Sequence, residues 1–186
     1  RVELDREYYS AGDTVTVKLW LEVADDDKEW AAGSVIFGCN SDVIDTSVSA
    51  NTIKAGSTGN TTFNSFYKDT KQSTWAWQTT TTILNNIKNN NTAEENAVYD
   101  SYLKIVVARN LTGGLDHQNA SDNAHGLYAS DINGDSDPFI TFQLTLKDDI
   151  ANGTKVNIGV PTGSMPNNYT YMNYFTTPGT ANKFTK

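Results

Sequence analysis

The chain has 186 residues, 38% of them hydrophobic and 19% charged, with a net charge of −8. That composition is enough for one core and excludes global disorder, and the acidic balance without a basic patch argues against binding a nucleic-acid backbone. No apolar run approaches the roughly 18 residues needed to cross a bilayer, no signal peptide is visible, and a single cysteine, Cys39, leaves no intramolecular disulfide to form.

In chain order, strands are expected over residues 2–4, 14–23, 33–39, 43–49, 74–81, 102–109, 139–146 and 154–160, separated by Gly, Asn, Asp and Ser clusters with turn chemistry. Two of these carry the strongest signal. In residues 11–23 (AGDTVTVKLWLEV), Val15, Val17, Leu19, Leu21 and Val23 share one face and Thr14, Thr16, Lys18, Trp20 and Glu22 the other. In residues 138–149 (PFITFQLTLKDD), Ile140, Phe142, Leu144 and Leu146 face a core while Thr141, Gln143 and Thr145 do not. This period of two marks half-buried strands. Cys39 lies in phase with Val35 and Phe37 and reads as a small buried hydrophobe. Residues 83–100 interrupt the strand pattern with helical character around 92–99, where Thr92 and Glu95 have the spacing of a capping box. Residues 110–130 are polar and Gly-rich, as in a long loop. Tyr169, Tyr171, Tyr174 and Phe175 suggest that the tail packs back as a last strand. Many short strands and little helix predict an all-β antiparallel sandwich of jelly-roll type with a short helical insertion, one domain over 1–186.

Four constellations bear on chemistry or binding. Asp131, Asn133, Asp135 and Asp137 offer oxygen ligands at alternate positions, as a Ca²⁺ loop does. Ser136 and Phe142, however, stand where an EF-hand beginning at Asp131 needs Gly and Glu, so the choice is between an acidic turn and a weak Ca²⁺ site. His117 and His125, near Asp116 and Asp122, lack the tight spacing of a zinc motif. The adjacent Glu94 and Glu95 diverge on either a helix or a strand, whereas glycoside cleavage needs two carboxyls facing one cleft. No nucleophile elbow or phosphate loop is present, so the reading is non-enzymatic. Trp75 and Trp77, at i and i+2, share a strand face. They form a stacking platform for a polysaccharide, an anchor for a protein partner, or part of the core.

The opening AGDTVTV strand and the late ITFQLTLKDDIANGT turn and strand together resemble the cohesin domain of cellulosome scaffoldins. Residues 31–45 (AAGSVIFGCNSDVID) are similar to the cohesin strand G-x-x-x-F-x-F-x-Y-D-P-x-V-L-E, with Cys39, Asn40 and Ser41 in place of Y-D-P. Residues 103–109 (LKIVVAR) resemble the central strand that precedes the family's Gly-rich loop. The insertion at 83–100 and the overall length are closer to the longer, divergent cohesins called type III.

The resemblance implies a nine-stranded jelly roll that binds calcium-loaded dockerin domains through one sheet face. The module would be secreted, extracellular and monomeric, have no cofactor of its own and take its Ca²⁺ requirement from the partner's loops. The implied face comprises Ala32, Ser34 and Ile36 on one strand, Trp75 and Trp77 on a second, Lys104, Val106 and Ala108 on a third, and Asn110 at its end. Ile36 and Val106 would then be exposed apolar residues at the centre of a flat surface. Two other readings are a carbohydrate-binding module using Trp75 and Trp77, and an Ig-like adhesin or stalk domain, a class that shares the AGDTVTV opening.

Overall fold

The computed structural model describes residues 1–20, 29–46, 61–63, 70–109, 138, 140–162, 171–177 and 180–183. The chain folds into two antiparallel sheets with few helices, an all-β architecture. The smaller sheet has the order β1-β2-β7-β4, formed by β1 (Val2–Leu4), β2 (Thr14–Leu19), β4 (Thr61–Phe63) and β7 (Ile140–Thr145). The larger sheet has the order β10-β9-β3-β6-β5. Its strands are β3 (Glu29–Cys39), β5 (Thr70–Trp77), β6 (Ser101–Arg109), β9 (Tyr171–Thr177) and β10 (Thr180–Lys183), and β8 (Ile158–Gly159) also pairs with β3. Between β5 and β6 lie helices α1 (Thr81–Asn90) and α2 (Ala93–Val98).

The alternation read from the sequence sets the smaller sheet. Val15, Val17 and Leu19 of β2 are buried, and their register partners on β7 are Leu144, Phe142 and Ile140. From the facing sheet come Val35, Phe37 and Cys39 of β3 with Leu103 and Ile105 of β6. Each such side chain contributes on the order of 1.5–3 kcal/mol by leaving water. The two layers meet most directly where the ring of Phe37 stands edge-on to that of Phe142, centroids 5.0 Å apart at 70°, a favoured aromatic geometry. The AGD turn before β2 needs glycine: Gly12 has a φ of +78°, and its N–H donates to the Lys147 carbonyl.

Several boundaries differ from expectation. The strand expected over 43–49 begins as a turn, and only Ile44 makes a bridge, to Leu146; its residues 47–49 lie outside the described residues. The strand expected over 154–160 is confined to Ile158–Gly159. That expected over 74–81 runs from Thr70 to Trp77, and Thr81 opens α1. The threonine run at 79–82 has strand propensity, but the apolar stripe of Ile83, Leu84 and Ile87 packs on the larger sheet and decides for helix. The capping box at Thr92 and Glu95 is present in full, each side chain accepting from the other's backbone N–H. The aromatic tail forms β9 against β3 and turns back as β10; Tyr169 and residues 110–130 lie outside the described residues.

Cys39 is buried, and its thiol is pushed up to about 12 from a usual 9.0, by desolvation first and the Asp100 carboxylate second. A raised native pKa makes unfolding release a proton between these values, so the stability held below pH 9.0 falls as pH rises toward 12. Iodoacetamide at about pH 8 will therefore label Cys39 only as fast as the chain unfolds, and completely once denaturant is added. Rapid labelling of the native protein, read by intact mass, would contradict this burial.

Candidate functional site

The outer face of the larger sheet is built by register. Across β3 and β6, Ala32 pairs with Ala108, Ser34 with Val106, Ile36 with Lys104 and Gly38 with Tyr102. On β5, Lys71, Thr74 and Ala76 continue three of these rows, opposite Ala108, Val106 and Lys104. On β9, Asn173 stands opposite Ala32 and Tyr171 opposite Ser34. The result is one face of outward positions spanning four strands, with the main core on the other.

One end of this face is closed. Ile36, Tyr102 and Ile87 are fully buried in a second apolar cluster, with Ile83, Leu84 and Tyr99 packed against it. The helices are fixed there by a polar hub. Asn91 Nδ2 donates to the Tyr102 hydroxyl at 2.9 Å and to Asn96 Oδ1 at 3.2 Å. Tyr102 Oη donates to the Tyr99 carbonyl at 3.1 Å, and Asn96 Nδ2 to the Lys88 carbonyl at 2.8 Å. Burial raises the Tyr102 phenol above its usual value, with the Asn91 hydrogen bond opposing. Tyr99 lies against two register partners, Gly38 and Gly159. A Cβ on Gly38 would stand 2.6 Å from Tyr99 Cγ, so only glycine admits the ring. Glu95, besides capping α2, accepts from the backbone N–H and the hydroxyl of Thr162.

Beyond the helices, Ala76 is exposed and Lys104 and Val106 are half-buried. Three expectations for this face are corrected. Ile36 is fully buried, not a central exposed anchor, because α1 lies over it. Ser34 is also fully buried. The tryptophan pair does not belong to the row of Lys104 and Val106: Trp75 pairs with Ile105 and Trp77 with Leu103, both inward positions of β6. Trp77 packs against the main core, and its indole N–H has no partner among the described residues. The outward residue of β5 at this level is Ala76, which the Trp-x-Trp pattern concealed. Ala32 and Ala108 hold the register positions expected of them. Asn110, the histidines and the candidate Ca²⁺ residues Asp131, Asn133, Asp135 and Asp137 lie outside the described residues.

No family model, curated protein or solved structure matches this chain.

The burial difference along one face gives a direct test. Ile36→Asp places a charge in a sealed apolar cluster and should cost more than about 3 kcal/mol, lowering or abolishing the thermal transition. Ala76→Asp, on the open part of the face, should stay within about 0.5 kcal/mol of the parent. Equal melting of the two variants would show that α1 does not seal Ile36.

Proposed function

We propose that this chain is a non-catalytic docking module of cohesin type, which receives a calcium-loaded dockerin domain on the part of the larger sheet that α1 and α2 leave uncovered. The observation that carries the reading is the run of outward positions in register, Ala76 with Lys104 and Thr74 with Val106, next to the Ala32–Ala108 row. Small residues at these outward positions let a helical partner lie flat, with the charged Lys104 in the same row as Ala76. We also infer jelly-roll winding. β2 pairs with β7 and β3 with β6, nested antiparallel pairs divided between the two sheets, as arises when a long hairpin is wrapped over itself. In this reading the module is secreted, acts outside the cell as a monomer, and contributes binding without chemistry, the calcium residing in the partner.

Calorimetric titration against a panel of dockerins that includes divergent ones, each with Ca²⁺ and with chelator, tests it. At least one should bind with a Kd below about 1 μM, and chelation should abolish the heat. Ala76→Asp combined with Lys104→Glu should weaken that binding by at least about 30-fold, and Ala76→Asp alone should weaken it at an unchanged melting temperature. Silence across the panel, or full binding by the double variant, would overturn the assignment.

A further inference from the structure

A groove of about 490 Å³ opens between the segment that follows β1 and the turn that precedes β8. Its floor is apolar: Leu4, Val43, Leu146, Ile150 and Val156 line it and belong to the main core or pack against it. Its walls are polar. The side chains of Glu7, Ser10, Asn152, Lys155 and Asn157 line it and make no hydrogen bond or ion pair among the described residues. Tyr8 also lines it while 80% exposed, the more exposed of the two large hydrophobic side chains left open to solvent among the described residues.

Both walls are held in place before any ligand arrives. On one side Tyr9 Oη donates to Asp5 Oδ1 at 2.8 Å, and Asp5 Oδ1 also accepts the Thr16 N–H at 2.8 Å. Arg6 lies 4.7 Å over the Tyr9 ring and pairs with Asp13 at 3.2 Å. On the other side Asn40, only 9% exposed, donates through Nδ2 to the Lys155 carbonyl at 3.0 Å and accepts the Asn157 N–H at 2.9 Å. A concave site of this size with an apolar floor and a few convergent polar groups has the form of a small-molecule site, and its fixed walls lower the ordering cost of binding.

We propose that this groove binds a neutral saccharide, one pyranose ring resting on Tyr8 and its hydroxyls meeting Ser10, Asn152 and Asn157. The chemistry of the lining selects this class. Side-chain amides and hydroxyls both donate and accept, as sugar hydroxyls do. An exposed tyrosine offers an apolar face to the C–H face of a pyranose and a hydroxyl to its rim. Glu7 and Lys155 carry opposite charges, so the groove presents no net field to a phosphate or carboxylate, and a chain of net charge −8 repels anions further. The site shares no residue with the proposed docking face.

Titrations of the ¹⁵N-labelled protein with cellotetraose, xylotetraose and mannotetraose, with tetragalacturonate as the charged counterpart, test the proposal. At least one neutral tetrasaccharide should shift the amides of residues 7–11 and 151–157, and bind more tightly than tetragalacturonate. Tyr8→Ala, at an exposed position, should weaken that binding about tenfold without moving the melting temperature, and Ala76→Asp should leave it unchanged. The proposal fails if no neutral sugar shifts these amides, if the shifts fall elsewhere, if Tyr8→Ala binds as the parent does, or if tetragalacturonate binds equally well. None of these results depends on whether a dockerin binds.

Discussion

The structure depends on one strand being enclosed on both faces. β3 sends Val35, Phe37 and Cys39 into the space between the sheets and Ile36 under the helices. It pairs with β6 along one edge and with β8 and β9 along the other. A strand so placed can have no wet side over this stretch, and the residues from Gly33 to Asn40 are all buried. The two sheets meet through Phe37 and Phe142, and the helices gain a place to dock because Ile36 points the opposite way from Phe37. Core and helical cover are thus two sides of the same eleven-residue strand.

That double burial also explains what could be read from the sequence and what could not. β2 and β7 each bury one face, so their period of two survives in the side chains, and Val17 and Phe142 are in register where the alternation puts them inward. The Thr92–Glu95 box was legible because a cap needs only two residues at a fixed spacing. In β3 the run Val35-Ile36-Phe37 carries no alternation to assign a face. The apolar outward residue at Ile36 is what a partner face would show, and equally what a strand beneath a helix would show. The choice rests on residues about fifty positions away, Ile83, Leu84 and Ile87, whose stripe is too narrow to declare the helix among so many asparagines.

The tryptophans misled for a related reason. Two large aromatics at i and i+2 establish a shared face without saying which, and pairing decides it: Trp77 stands opposite Leu103, so its row is the core row. The consequence for function is a change in the character of the open face. Without Ile36 and the tryptophans it offers no large apolar anchor among its described side chains, only Ala76, Lys104 and Val106. A partner held there would draw its binding energy from close approach over small residues and from its own large side chains, so the specificity of the contact would reside mostly in the partner.

The end of β3 ties the remaining parts together. Past Cys39 the chain turns at Asn40, whose amide holds Lys155 and Asn157 and so fixes one wall of the Tyr8 groove. The next residue, Ser41, donates from its backbone N–H and its hydroxyl to Asp100 at 2.7 Å each, and the Asp100 N–H donates to the Cys39 carbonyl. Asp100 is the link between α2 and β6, so Cys39 and Ser41, on either side of Asn40, anchor the helical cover. A sandwich of short strands with polar turns has few rigid points outside its core. Here one lies where the doubly buried strand emerges, and both the groove wall and the helices are fastened to it. The groove therefore inherits the stability of the core strand although it lies at the surface, which is the condition for a site that is shaped before its ligand arrives.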